Sequence, residues 1–221
     1  MKHCGVFKAL SVIILCLMLA CSCSLRAEEP AAEPAPERTY SAGYWEAGVY
    51  TNPSLGFSLT LPDGASVRSD PASLLEGTGI QCVTEETDIF SGGVYCETAI
   101  NDSSGNCCAV LLVTDCVATC GVAMNPADYA QLLIRDIQAP ASTSLSGETI
   151  AGTEYTVFRY PEGGDVYNTY FVGERDGITF VWILSSHGRQ RPSPEEMIRS
   201  LESTEPPAEQ TDDSGEPSSE N

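Results

Sequence analysis

The sequence predicts an α+β domain whose antiparallel central sheet is flanked by helices on both faces, an α-β-α sandwich, and three observations predict it. Val166 to Glu174 and Ile178 to Ser185 are two runs rich in β-branched and aromatic residues, separated only by Arg175-Asp176-Gly177. An Asp-Gly pair in that setting is the strongest local hairpin signal, and a hairpin is antiparallel. Cys107 to Val113 is apolar at both parities, with Cys107, Ala109 and Leu111 expected on one face and Cys108, Val110 and Leu112 on the other. Such a strand must be covered on both sides. Helices are the expected cover, because Asn125-Pro126-Ala127-Asp128 and Ser193-Pro194-Glu195-Glu196 each place a capping side chain, a first-turn proline and an acid at a helix start.

From the N-terminal side, Trp45 to Leu61 offers an apolar entry, an Asn52-Pro53 turn and then an alternation that sets Phe57, Leu59 and Leu61 on one sheet face. Pro62-Asp63-Gly64 ends that strand. Asp70-Pro71 predicts a short helix with Leu74 and Leu75 inward and Gly77 as its stop. Val94 to Ile100 is a strand that turns through Asn101 to Asn106 into the Cys107 run. After Asn125, the residues Tyr129, Leu132, Leu133 and Ile137 recur at helical spacing. Gly147 to Ile150 and Glu154 to Tyr160 flank Ala151-Gly152-Thr153 as strands, and a Ser193/Glu196 capping box opens a last helix through Met197, Ile198 and Leu201.

The chain around this domain is organised by composition. Lys2 and Lys8 precede an apolar run from Ala9 to Ala20, too short for the roughly 20 residues of a spanning helix, which reads as a signal-peptide core. Met18-Leu19-Ala20-Cys21 resembles a bacterial lipoprotein lipobox, and the resemblance implies cleavage before Cys21 and lipid attachment to its thiol. An ordinary secretory signal with incidental cysteines is the competing reading. The expected boundaries are a signal at 1–20, a Pro/Glu/Ala-rich tether at 21–43, one domain at 44–202 and an acidic tail at 203–221, since neither flanking segment can bury enough apolar area to offset the entropy of ordering. The formal charge is −20, and removal of residues 1–20, which carry both lysines and no acid, takes it to −22. A chain so acidic is repelled by phosphate backbones and anionic lipid surfaces, so nucleic acid is excluded as a partner and the membrane is expected to be reached through lipid alone.

Of ten cysteines, Cys4 and Cys16 fall in the signal, Cys21 in the lipobox and Cys23 in the tether. The remaining Cys82, Cys96, Cys107, Cys108, Cys116 and Cys120 are an even set in an exported domain, where disulfides are permitted. Six cysteines allow 15 pairings, and buried thiols or a metal are the alternatives. The spacing lacks the close pairs and histidines of ordinary zinc sites, so no metal or cofactor is expected. His187 is the single histidine after the signal; in the turn Ser185-Ser186-His187-Gly188 it reads as a loop residue, without a Gly-x-Ser-x-Gly setting or a phosphate-binding loop anywhere. Arg189 and Arg191 are the one local basic spot and the candidate contact for an anionic partner.

Taken in order, Tyr50 to Gly64, the Tyr95 to Val113 hairpin, the capped helix with Asp128-Tyr129, Ile150 to Phe158, the long hairpin and a last helix ending in Ser200-Leu201 resemble bacterial lipoproteins with a PsbP-like domain. The resemblance spans about 45–202 and implies an antiparallel sheet between helices; it transfers no activity, and the six domain cysteines depart from its pattern. The functional expectation is therefore a lipid-anchored protein on the extracytoplasmic face of the cell membrane. It would act as a binding or accessory module for another cell-surface component and not as an enzyme. A hydrolase or thiol-dependent enzyme using His187 is the alternative.

Overall fold

The computed structural model describes residues 38–75, 82–140, 142–163, 166–187 and 193–204. Its strands are β1 (Tyr44–Glu46), β2 (Val49–Asn52), β3 (Phe57–Thr60), β4 (Ser66–Val67), β5 (Cys82–Val83), β6 (Val94–Asn101), β7 (Cys107–Thr114), β8 (Ser146–Ile150), β9 (Thr153–Gly163), β10 (Val166–Arg175), β11 (Ile178–His187) and β12 (Glu202–Ser203). Among the described residues three α-helices join them, α1 (Cys116–Cys120), α2 (Pro126–Asp136) and α3 (Pro194–Arg199), with 3-10 turns at Ala72–Leu75 and Glu86–Ser91. The large sheet runs β4-β6-β7-β11-β10-β9-β8, with β5 added in parallel to β6, and the small one runs β1-β2-β3-β12.

The turn chemistry acts as its residues dictate. Asp176 and Gly177 both have positive φ, 51° and 80°, which closes β10 and β11 into a tight hairpin paired from Arg175 and Ile178 to Val166 and His187. Asn125 caps α2 by accepting from the Asp128 amide at 2.9 Å, and the Ser193/Glu196 capping box of α3 is complete. The helix expected after Asp70-Pro71 is one 3-10 turn, Ala72–Leu75, and Gly77 lies outside the described residues.

The expected α-β-α sandwich does not form. Antiparallel strands dominate, and among the described residues a helix of more than two turns flanks one face of the large sheet alone: α2 and its C-cap bury Ala130, Leu133 and Ile137 against Val110, Leu112, Val172 and Val181. The opposite face carries the small sheet, with short α3 beside it. Phe57 sits 5.9 Å and 6.1 Å, ring centre to ring centre, from Phe180 and Trp182, and Tyr50, Leu59, Met197 and Ile198 join the same core. The physical reason is that a doubly apolar strand such as β7 reports two dry faces but not what dries them. The strands β2 and β3 each have one apolar side, which a second sheet covers as well as a helix does.

Two β-bulges set how the sheets meet. On β6, Cys96 is opposite Leu112 and Thr98 is opposite Leu111, so Glu97 is an extra residue; on β7, Asn101 and Ile100 face Cys107 and Ala109, which makes Cys108 the extra one. The second bulge corrects the expected alternation. Ala109 and Leu111 do share a face, but Cys107 lies with the α2 core and Cys108 with the small-sheet core, the reverse of a regular strand.

The first bulge turns Glu97 and Thr98 toward the small sheet together. The carboxylate of Glu97 accepts from the hydroxyls of Tyr40 and Tyr50, both at 2.6 Å, from the Gly43 amide and from Asn52 Nδ2 at 3.3 Å, while Trp45 Nε1 donates to Thr98 Oγ1 at 3.0 Å. Burial pushes the Glu97 carboxyl above the ordinary glutamate value, against the pull of these donors, and Glu86 adds to the rise. Burial likewise keeps Tyr40 and Tyr50 protonated far into the alkaline range, so they remain donors. The folded protein therefore holds the Glu97 proton more tightly than the unfolded chain. Its contribution to stability is whole below the ordinary value of 4.5 and is lost as pH rises through the raised folded value. Denaturation across that interval should show a falling stability that Glu97→Gln flattens. Glu97→Ala should lower stability at every pH by about 2–4 kcal/mol, because two buried hydroxyls lose their acceptor.

Candidate functional site

The described residues that bring the most reactive chemistry together lie where β7 leaves the sheet. Asp115 ends the strand in an extended conformation and caps α1: its Oδ1 accepts from the amides of Val117 at 2.8 Å and Ala118 at 3.3 Å. Arg38 Nη1 donates to the same oxygen at 2.6 Å, and Asp115 is fully buried. Gly121, at φ 73°, returns its amide to the Val117 carbonyl and closes the turn after five residues. Thr119 hydrogen-bonds Thr114 at 2.8 Å, which pins the turn to the strand end.

This short helix carries Cys116 and Cys120 four residues apart on one face. The two thiols are neighbours that influence each other's titration, and Cys116 Sγ lies 3.0 Å from Thr179 Oγ1 on β11. Cys116 is buried; Cys120 is partly exposed. Hydrogen-bonding stabilisation from the Cys116 thiol pulls Cys120 down to about 7 against the effects of burial and of nearby Asp136, and the reciprocal effect together with burial raises Cys116 far above the ordinary thiol value. Tyr129 and Asp136 of α2 complete the surroundings, both raised chiefly by burial, with Arg135 beside the Asp136 carboxylate at 3.7 Å.

The other sequence-predicted cysteines lie in different places. Cys82 and Cys96 lie near one another on paired strands β5 and β6, and burial raises both. Cys107 and Cys108, adjacent in sequence, fall in opposite cores, and Cys108 is pushed up to about 12 by burial. Cys21, Arg189 and Arg191 lie outside the described residues. His187 is the last residue of β11, opposite Val166. Thr179 and His187 are eight residues apart on that strand, about 26 Å at ~3.3 Å per residue. The alternative reading of a Cys-His pair thus cannot draw its thiol from α1. Cys107 and Cys108 are at the His187 end, but both are buried. Among the described residues, no group of three or more His, Cys, Asp or Glu side chains is placed to hold a metal ion.

The α1 turn was missed by sequence reasoning, although its signals stand in the chain: Asp115 at the N-cap and Gly121 just past the end. A five-residue helix is too short to show a hydrophobic period. Asp115→Ala should destabilise the protein by about 2–3 kcal/mol, since it removes the cap and strands Arg38, and should speed hydrogen exchange of the Val117 and Ala118 amides. Asp115→Asn, which keeps a capping oxygen, should cost less in both measurements.

No protein-family model matches this sequence, and no curated protein matches it. Among solved structures, the chain is similar to the solution structure of cyanobacterial PsbP (CyanoP) from Synechocystis sp. PCC 6803. The sequence identity is 11%, the TM-score 0.41, and the likeness covers 75% of this chain and 98% of that chain. That protein carries the name of the domain type that the sequence motifs resemble, and a likeness of this degree assigns no activity, ligand or partner.

Proposed function

We propose that the protein is a lipid-anchored binding or accessory module of the extracytoplasmic membrane face, and that it holds an extended, basic segment of a cell-surface protein along strand β8. The observation that carries the binding half of this reading is the open edge of the large sheet. Among the described residues β8 pairs with β9 alone, from Ser146 opposite Val157 to Ile150 opposite Thr153, and no described strand pairs its other side, which leaves that row of backbone donors and acceptors to a partner. Three shallow clefts of about 320, 410 and 420 Å³ border β8 and the neighbouring ends of β9, β10 and α2.

Charge selects the occupant. Glu154 lines two of these clefts, with Glu174 and Asp176 beside it in the third, and all three carboxylates are exposed on a molecule of net charge −20. A basic strand entering here would pair its backbone with β8 and its cations with this rim, and the fields would steer its approach. Gly147 leaves open space above its Cα on the side of α2, room for a partner side chain. On the other side Glu148 is held by Arg199 of α3 in a two-pronged pair at 3.1 and 3.2 Å. The anchoring half rests on the Met18-Leu19-Ala20-Cys21 pattern, and no helix among the described residues is long and apolar enough to cross a membrane.

Two measurements test the two halves. Cys21→Ala should abolish lipid labelling and release the protein from the membrane fraction; unchanged labelling and fractionation in that variant would reject the anchor. A photoreactive residue at exposed Thr149 should crosslink one defined surface protein through a basic segment, and Glu154→Lys with Asp176→Lys should suppress the product. The same probe at Ser66, on the opposite edge strand β4, should not yield it. Equal products from both positions, or no effect of the charge reversals, would reject β8 as the binding edge.

A further inference from the structure

We propose that Cys116 and Cys120 form a redox-active dithiol that reduces a disulfide of a second molecule, with Cys120 as the attacking thiol and Cys116 as the resolving one. The inference does not rest on the β8 edge, which is a different part of the sheet.

Three features of the turn carry it. The first is spacing: four residues along a helix advance the chain about 6 Å, inside the ~4.4–6.8 Å range of Cα separations that a disulfide spans. Helical neighbours at this spacing hold their Cβ atoms ~5–6 Å apart, about 1–2 Å more than a relaxed disulfide prefers. Closing the bond must therefore unwind part of α1. A helix of five residues ending at Gly121 has few hydrogen bonds to lose, so the bond can close at small cost to the rest of the fold.

The second feature is asymmetry. Cys120 is partly exposed, while Cys116 is 2% exposed and held between Thr179 and Cys120, so an incoming disulfide meets Cys120 first. The Cys116 thiol donates its hydrogen bond to Cys120 and stabilises a thiolate there near neutral pH. Of the charged groups facing the pair, Asp115 is engaged by Arg38 and the capped amides, and Asp136 by Arg135, so Cys116 is left as the donor that sets the Cys120 thiolate. The third is surface: Val117 and Val122, 40% and 53% exposed, flank the turn and offer an apolar seat next to the reactive sulfur.

The Cys120 thiolate attacks one sulfur of the substrate disulfide, forms a mixed disulfide and releases the other substrate sulfur as a thiolate, which takes up the proton of Cys116. The Cys116 thiolate then attacks Cys120 Sγ, closes the Cys116–Cys120 disulfide and releases the second substrate thiolate, which is protonated from water. Two electrons pass from the protein dithiol to the substrate disulfide.

Oxidised glutathione, the mature full-length chain and mass spectrometry test this. In the reduced protein near pH 7, iodoacetamide should label Cys120 first, on the order of tenfold faster than Cys82, which has similar partial exposure but a raised pKa. Oxidised glutathione should then remove two hydrogens, mapped to a Cys116–Cys120 link that a dithiol reductant reverses. Cys116→Ser should trap glutathione on Cys120, and Cys120→Ser should give neither product. Labelling of Cys120 no faster than Cys82, or oxidation that links other cysteines in its place, would overturn the proposal. Should Cys116→Ser fail to fold, the labelling race and the mapped link in the unaltered chain still decide it.

Discussion

The seam between the two sheets depends on one carboxylate. Glu97 is displaced from the β6 ladder by a bulge, and in that position it gathers the hydroxyls of Tyr40 and Tyr50, the Gly43 amide and the Asn52 amide from the N-terminal segment and small sheet. A buried carboxylate with several donors is strong only while all of them are present, which is why such clusters specify one arrangement of the elements that supply them. Here the arrangement specified is the docking of residues 40–52 across β6. Asn52, wholly buried, links the cluster to the next turn by accepting from the Leu55 amide at 2.8 Å.

The aromatic layer completes what the carboxylate positions. Trp45, Tyr50, Phe57 and the pair Phe180 and Trp182 form a run of ring contacts from 5.3 to 6.3 Å between centres, from the outer hairpin into the middle of the large sheet. These contacts are non-directional compared with the Glu97 hydrogen bonds, so they supply most of the burial while the polar cluster fixes the register. The same division appears where β7 leaves the sheet. There Asp115 fixes the α1 turn through Arg38 and two amides, and the apolar neighbours merely fill space. Arg38 and Tyr40 thus tie the segment before β1 to both polar clusters, to Asp115 and to Glu97.

A β-rich frame of this kind leaves its chemistry at the margins. The ladder of β6, β7, β11 and β10 satisfies its own backbone groups and is dry on both faces, so it cannot present a binding edge. Outside that ladder, among the described residues, lie edge strands such as β8 and β4 and the loops at strand ends, where a short capped turn can hold two thiols without disturbing the core. The acidic rim near Glu154 and the dithiol of α1 are both of this type.

Local signals in the chain determined the elements that local rules govern. Asp176-Gly177 closed the long hairpin, Asn125 and Ser193 opened α2 and α3, and the two-sided run from Cys107 to Val113 announced a strand dry on both faces. Each depends on residues within a few positions of one another, which is the range over which backbone sterics and capping act. Only the tertiary structure decided what dries the second face: a four-stranded sheet, not a helix, because burial is indifferent to the kind of element that provides it. The bulges at Glu97 and Cys108 were equally hidden, since an extra residue in one strand is defined by its partner strand. For the same reason six cysteines read alike in the chain, and burial, the Thr179 contact and one shared hydrogen bond set Cys116 and Cys120 apart from the rest.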